Sequence, residues 1–165
     1  MSGIEVCETL CQQDSPVNQR SFKMKAIKVL IVEDEALIAM ATADMLHNAG
    51  YHVTAMVGTG KEALKSVMKD PPDLILMDIR LDGDLDGIET AGLIQKQFNI
   101  PVIYISANLD EPTLDRIKNT WFAGCLNKPV HPEDLAGLMS QSLETDKDQT
   151  ENHPDRYINL SGYFI

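Results

Sequence analysis

The chain has 165 residues, of which 44% are hydrophobic, enough for one buried core with short flanking segments. Its 25 acidic residues outnumber 14 basic ones and give a formal net charge of −11 at pH 7. Binding to a nucleic-acid backbone requires clustered Lys and Arg, so this charge argues against such a partner. No stretch approaches the roughly 18 apolar residues of a membrane span. The three cysteines lack a disulfide-like spacing, which favours a reducing cytoplasm.

Apolar runs and helical stripes alternate from residue 27 onwards. Short runs rich in β-branched or other apolar residues predict strands at 27–32, 51–57, 74–80, 101–106 and 122–127. Between and after them, apolar residues recur every three or four positions, which predicts five helices. In the first helix these residues are Leu37, Ile38, Ala41 and Met45. Five strand–helix repeats favour an α/β fold with a doubly wound parallel sheet.

The ends of the chain lack this alternation. Residues 1–25 are polar without a sustained period and are predicted to form a flexible N-terminal extension. Residues 26–145 are predicted to form the folded domain. Residues 146–165 form a C-terminal tail that is first polar and then apolar and aromatic, and that is too short to be an output domain.

Polar side chains follow four of the predicted strands. These residues are Glu33 and Asp34, Asp78, Ser106, and Lys128. Because the carboxyl ends of parallel strands meet at one edge of the sheet, we expect these side chains to lie together. Three carboxylates repel one another unless a cation neutralises them, and oxygen ligands suit Mg²⁺. Lysine and serine suit phosphoryl oxygens, so the set predicts a phosphoryl-acceptor site.

Four sequence segments give the chain a family resemblance. They are VLIVEDE at 29–35, LILMDIR at 74–80, VIYISA at 102–107 and NKP at 127–129. With these motifs the domain resembles the receiver domain of two-component response regulators, of the stand-alone type. The resemblance implies a flavodoxin-like fold, with a five-stranded parallel sheet of order 2-1-3-4-5 and five flanking helices. It also implies a signalling protein and not an enzyme.

The resemblance assigns roles to the acidic residues. Asp78 is expected to accept a phosphoryl group from a sensor histidine kinase or a histidine phosphotransfer protein. Asp34, Asp78 and the backbone carbonyl of Arg80 are expected to hold Mg²⁺, with Glu33 acting largely through water.

The resemblance also implies how the phosphoryl group is bound. Ser106, Ala107 and Lys128 are expected to contact it, and the peptide bond after Lys128 is expected to be cis. Arg80 and Asn108 match the two variable positions that tune the lifetime of the acyl phosphate.

The signalling output of the domain is expected to follow from a shift in the populations of two conformations of one face. Phosphorylation adds about −1.5 to −2 charges and favours one arrangement of a bistable face. The family uses the fourth helix, fifth strand and fifth helix, here approximately 112–119, 123–127 and 133–143. The expected output is contact with a downstream protein, by a monomer or weak homodimer.

Two positions depart from the family pattern. Cys125 stands three residues before the lysine, where most receivers carry an aromatic switch residue. Tyr104, two residues before Ser106, could supply another ring or could be a plain core residue. The loop 81–87 reads LDGDLDG, where many receivers have a shorter segment with proline, and its extra acid either alters Mg²⁺ affinity or is simply solvated.

Three other functions compete with the receiver interpretation. An atypical receiver acting by binding alone, without phosphorylation, stays open as the alternative. An Asp-nucleophile phosphatase usually carries a second acid two residues after the nucleophile, where this chain has Arg80. A flavin-binding module needs a phosphate-binding loop after the first strand, where Glu33, Asp34 and Glu35 would repel a phosphate.

Overall fold

The computed structural model describes residues 26–144, in which strands and helices alternate from end to end. The predicted extension 1–25 and tail 146–165 lie outside the described residues. The strands are β1 Lys28–Val32, β2 His52–Val57, β3 Leu74–Asp78, β4 Val102–Ser106 and β5 Phe122–Asn127. The helices are α1 Ala36–Asn48, α2 Gly60–Lys69, α3 Gly87–Gln95, α4 Glu111–Ile117 and α5 Pro132–Glu144. Within 26–144, no helix has the length and apolar content that crossing a bilayer requires.

The five strands form one parallel sheet in the order β2-β1-β3-β4-β5, which confirms the predicted fold class. All five residues of β3 are buried, because this strand lies at the centre of the sheet with helices over both faces. The order places the carboxyl ends of β1, β3 and β4 side by side. The predicted functional edge of the sheet is therefore formed.

Each face of the sheet has its own hydrophobic core. Helices α2, α3 and α4 cover one face, where residues such as Ile75 of β3 and Ile94 of α3 are buried together. Helices α1 and α5 cover the other face, where Leu76 packs in one cluster with Leu46 and Met139. Alternate residues of the central strands supply the two clusters, as expected for a strand buried on both sides.

Helix α1 forms as predicted, but its inward face matches the predicted stripe only in part, since Met45 is partly buried against the core. It buries Ala39, Thr42 and Leu46, whereas Leu37 is 82% exposed and Met40 is 57% exposed. The first turns of α1 are apolar nearly all round, so the apolar spacing alone does not define which side faces the sheet. A helix that belongs to the fold thus presents large apolar side chains to solvent.

Helices α3 and α4 lie over the same face of the sheet but differ in how they are held. Helix α3 begins at a capping box, in which Asp86 accepts from the Glu89 N–H at 2.9 Å and Glu89 accepts from the Asp86 N–H at 3.0 Å. It buries Gly87, Ile88, Thr90, Ala91 and Ile94. Helix α4 has seven residues and buries only Ile117.

Candidate functional site

Three strands contribute one residue each to a compact ionic cluster. The Nζ of Lys128, which follows β5, lies 2.8 Å from Glu33 Oε2 and 2.5 Å from Asp78 Oδ2. Strand β5 is not adjacent to β1 in the sheet, so the lysine side chain spans the strand ends between them. The peptide bond between Lys128 and Pro129 is cis. The structure thus brings together the lysine and two of the carboxylates that the sequence singled out.

The third carboxylate completes an all-oxygen ligand set. Ligand oxygens of Glu33, Asp34 and Asp78 all lie within 4.8 Å of one another. Glu33 and Asp78 are each only 5% exposed, whereas Asp34 is exposed. Hard divalent cations prefer such oxygen ligands, and the exposed aspartate leaves the group open to solvent on one side. The chemistry of the residues therefore fits a magnesium ion.

Charge and burial oppose one another in this cluster. Burial raises the pKa of Glu33, and the hydrogen bond from Lys128 offsets this effect while the negative charge of Asp78 adds to it. Burial alone would lower the pKa of Lys128, but hydrogen bonds to Asp78 and Glu33 raise it above its ordinary value. The lysine is consequently a fixed positive charge between two buried carboxyl groups.

The backbone turns tightly around Asp78. The N–H of Arg80 donates to Asp78 Oδ1 at 3.0 Å, which orients the carboxylate. Gly87, the first residue of α3, lies so close that a Cβ there would be 2.0 Å from the Asp78 carbonyl oxygen. Only glycine permits this approach. Because residue 87 is glycine, the start of α3 can lie directly against Asp78, the residue that the sequence predicts to be phosphorylated.

Ser106 is buried at the end of β4, with its hydroxyl turned toward its own loop. Its Oγ donates to the carbonyl oxygen of Asn108 at 2.9 Å and accepts from the Asn108 N–H at 3.2 Å. The side chains of Ala107 and Asn108 are exposed at the rim of the site, as is that of Arg80. The roles of these four residues toward a phosphoryl group stay predictions.

Tyr104 lies under α4, in the core of its face of the sheet. It pairs across β4 and β5 with Cys125, and its ring lies 6.4 Å from that of Phe122. The Tyr104 hydroxyl donates to Thr120 Oγ1 at 2.9 Å, because that oxygen in turn donates to the carbonyl oxygen of Ile117. Burial raises the pKa of the Cys125 thiol to about 12. A switch role for Tyr104 or Cys125 stays a prediction.

The acidic loop after β3 is held partly by cations from other elements. Lys61 of α2 lies 2.5 Å from Asp84, and both side chains are well exposed. Arg116 of α4 lies 2.5 Å from Asp86. Asp82 is exposed. The sequence patterns did not reveal the contribution of Arg116, because it lies 30 residues from its partner and in no recognised motif.

Comparison with known proteins decides the family. The model of the response regulator receiver domain matches residues 29–140. The chain belongs to this family. Its receiver domain contains each motif that carried the resemblance, and its strand order is the one that the resemblance implied.

The receiver domain is similar to a longer curated regulator and to a solved receiver domain. It is 34% identical over 108 residues to the transcriptional regulatory protein PdtaR of Mycobacterium tuberculosis, covering 66% of this chain and 52% of PdtaR. A solved receiver domain of a modulated diguanylate cyclase from Desulfovibrio desulfuricans G20 is 35% identical with a TM-score of 0.70, covering 74% of this chain and 98% of that one.

A third relative is the anti-anti-sigma factor PhyR from Bartonella quintana. It is 33% identical with a TM-score of 0.61, and the similarity covers 79% of this chain and 54% of that one. The chain therefore spans about half the length of the curated relatives it matches. The regulatory activities of these longer proteins are properties of the whole molecules.

Proposed function

We propose that this receiver domain is a phosphoacceptor in which Asp78 takes a phosphoryl group from the phosphohistidine of a sensor kinase or phosphotransfer protein. The observation that carries the proposal is the contact between Lys128 Nζ and the buried Asp78 carboxylate at 2.5 Å. In the transfer, a carboxylate oxygen of Asp78 forms a P–O bond as the P–N bond breaks, and the imidazole leaves with the electron pair.

A metal ion completes the proposed site. Glu33, Asp34 and Asp78, with the backbone carbonyl of Arg80, would hold Mg²⁺, and their all-oxygen composition supports this ion. When bound, the ion supplies positive charge to the phosphoryl oxygens. Lys128 supplies the protein's own positive charge from the carboxyl end of β5, on the same edge of the sheet.

The loop after β4 is proposed to bind the new phosphoryl group. The Ser106 hydroxyl, which donates a hydrogen bond to the Asn108 carbonyl oxygen, would rotate toward Asp78 and donate to a phosphoryl oxygen. The backbone of Ala107 would move with Ser106 toward the phosphoryl group. The side chains of Arg80 and Asn108 are exposed beside the site, and this exposure supports a role in admitting water to the acyl phosphate and so in setting its lifetime.

The exposed face of α1 is proposed to receive the protein that donates the phosphoryl group. Leu37 and Met40 are large apolar side chains left in solvent, and their helix begins two residues after Asp34. Apolar residues grouped beside a reactive site favour a protein partner. Leu37→Glu is expected to slow transfer from a protein donor while leaving phosphorylation by a small-molecule donor unchanged.

Output is proposed to be contact with a downstream protein through the surface of α4, β5 and α5. The similarity to PhyR, which is described as an anti-anti-sigma factor, supports an output by protein contact. The acidic balance of the chain supports the absence of a nucleic-acid partner for the domain itself.

The test is the intact mass of the full chain after incubation with phosphoramidate and Mg²⁺. We expect a gain of one phosphoryl group that depends on Mg²⁺ and disappears in Asp78→Asn. The matched control is Asp84→Asn, which removes an exposed carboxylate of the next loop that pairs with Lys61 and not with the site. This variant is expected to be phosphorylated like the unaltered chain.

Two results would contradict the proposal. One is an unchanged mass with phosphoramidate and with a panel of histidine kinases, which would favour a receiver that acts by binding alone. The other is an equal mass gain in Asp78→Asn, which would place the modification on another residue.

A further inference from the structure

The outer face of α1 is the part of residues 26–144 where two large apolar side chains are exposed on one helix. The exposed large apolar side chains in this range are Leu37, Met40, Met56 and Met68. Leu37 and Met40 lie three positions apart and are therefore neighbours on α1. Met56 lies in β2 and Met68 in α2, and single exposed apolar residues are ordinary on protein surfaces. The pair on α1 is the better candidate for a surface that another segment covers.

The chain after α5 contains a segment of matching composition. Residues 145–156 include six charged residues and no hydrophobic one. Residues 157–165, the tail segment, read YINLSGYFI and include six apolar or aromatic residues and no charged one. The tail segment also holds three of the nine aromatic residues of the chain. Such side chains gain free energy when they leave water, so the tail segment is suited to dock on an apolar surface.

The position of α5 brings the tail segment within reach of α1. Both helices cover the same face of the sheet, and each follows a strand, so both run from the carboxyl edge of the sheet to the opposite edge. Helix α5 has 13 residues and is therefore about 20 Å long. Residues 145–156 can span up to about 40 Å when extended. This length is enough to return the tail segment along α1 as far as Leu37.

Charge also fits this placement. The chain has a net charge of −11, so most of its surface repels acidic segments, whereas the tail segment is uncharged and directly follows Arg156. Asp44 is exposed on α1, four positions after Met40 and on the same side of the helix. A chain that returns from the end of α5 passes Asp44 before it reaches Met40 and Leu37. Arg156 would then lie near Asp44, and the tail segment would continue over the apolar pair.

We propose that the tail segment docks on the outer face of α1 and covers the surface to which a phosphodonor protein binds. Leu37 and Met40 then pack against the tail segment, and the donor must displace it before the phosphoryl group is transferred. A small donor such as phosphoramidate needs no contact with α1 and reaches Asp78 freely. The docking stands on composition, reach and charge, whereas the competition with the donor rests on the proposed function.

Docking is tested by the rate at which hydrogen peroxide oxidises Met40 in the full chain. Oxidation requires access to the methionine sulfur, and peptide mass spectrometry reports each methionine separately. Met68 of α2 is the internal reference, because it is exposed on the opposite face of the sheet. The tail variant combines Leu160→Ser with Phe164→Ser. It is expected to speed Met40 oxidation by about three- to tenfold, since a tethered segment acts at an effective concentration on the order of millimolar. Met68 oxidation is expected to stay the same.

Two matched controls separate apolar contact and charge from the mere presence of a substitution. Asn159→Ser combined with Ser161→Thr changes two polar residues of the tail segment and is expected to leave Met40 protected. Arg156→Gln is expected to raise the Met40 rate less than the tail variant does, by about twofold, because an exposed ion pair contributes little. Lys147→Gln removes the same charge further from the tail segment and is expected to have no effect.

Three results would overturn the docking. The first is a Met40 rate that is the same in the unaltered chain and in the tail variant. The second is an equal rise at Met40 and Met68, which would indicate a general loosening of the domain. The third is protection of Met40 that disappears on dilution, which would place the tail segment on a second copy of the chain.

The competition is tested by phosphotransfer from an autophosphorylated histidine kinase that modifies the unaltered chain. The tail variant is expected to accept the phosphoryl group from the kinase about three- to tenfold faster, and from phosphoramidate at an unchanged rate. Equal rates from the kinase, in a tail variant whose Met40 has lost its protection, would overturn the competition.

The two measurements separate the docking from the proposed function. If intact mass shows that the unaltered chain takes up no phosphoryl group from any donor, the proposed function fails. The oxidation rates of Met40 then still decide whether the tail segment lies on α1.

Discussion

Helices α3 and α4 lie on the same face of the sheet. Both begin at the carboxyl edge of the sheet, where the site lies. Helix α3 starts against Asp78, is closed by a capping box and buries five residues. Helix α4 starts near Ser106, is capped by one exposed aspartate and buries a single isoleucine. One helix is therefore part of the rigid frame of the site, and the other is attached mainly by polar contacts that can be exchanged.

This difference concerns how much apolar contact each helix would lose on local opening. A local opening costs less free energy where few apolar contacts are lost, so regions of low packing are the ones that move first. The fully buried strand β3 and helix α3 hold Asp78 in place, whereas α4 has little buried apolar surface to lose. The contrast between the two helices can be tested directly.

The largest effect is expected from shortening one buried isoleucine in each helix. Ile94→Ala in α3 is expected to lower the free energy of unfolding by about 2–5 kcal/mol, because the cavity lies in the main core. Ile117→Ala in α4 is expected to cost less, because α4 can open while the rest of the domain stays folded. Urea denaturation gives both values. Equal losses would show that α4 is as firmly integrated as α3.

A second test concerns the start of α3. Gly87→Ala is expected to lower the free energy of unfolding by about 1–3 kcal/mol, since the new methyl group would collide with the Asp78 backbone. Gly92→Ala adds the same methyl group to the same helix where nothing lies within 4 Å. That variant is expected to gain about 0.5–1 kcal/mol from helix propensity. Thermal unfolding compares the pair, and a tolerated alanine at Gly87 would show that α3 is free to shift.

The smallest effect is expected at the cap of α4. Hydrogen bonds from Thr113 and Asn108 lower the pKa of Asp110 below its ordinary value of 3.8. A carboxyl group with a lowered pKa stabilises the fold above its unfolded pKa, and this contribution disappears as the pH falls through the folded value.

Asp110→Asn isolates this contribution, because asparagine caps a helix without titrating. The unaltered chain is expected to be slightly more stable than the variant at about pH 5, with the difference shrinking as the pH falls through the folded pKa of Asp110. Urea midpoints across this pH range measure it. A difference that is independent of pH would mean that the Asp110 charge does not support α4.

Much of the site was predictable because the carboxyl ends of parallel strands share one edge. That rule brings Glu33, Asp78 and Lys128 together from positions far apart in the chain, and the structure places them in direct contact. The strand order was predictable from the family resemblance. Both predictions depend on patterns that are local in the sequence, namely an apolar run followed by a polar residue.

Contacts without such a pattern were not predictable. The pairing of Arg116 with Asp86 depends on how α4 lies beside α3, which no spacing of residues encodes. The inward face of α1 was predicted only in part, because apolar residues occur nearly all round its first turns and Leu37 is left in solvent. In both cases the packing of helices against each other or against the sheet decides the outcome.

The position of Lys128 has a consequence for how the site binds its ligands. One ammonium group holds the carboxylates of Glu33 and Asp78 together before any metal or phosphoryl group arrives. Their mutual repulsion is overcome during folding, so the two side chains need no further ordering when a ligand binds. Preorganisation of this kind reduces the entropic cost of binding. The lysine thus acts as a built-in counterion that keeps an otherwise self-repelling site assembled and ready to react.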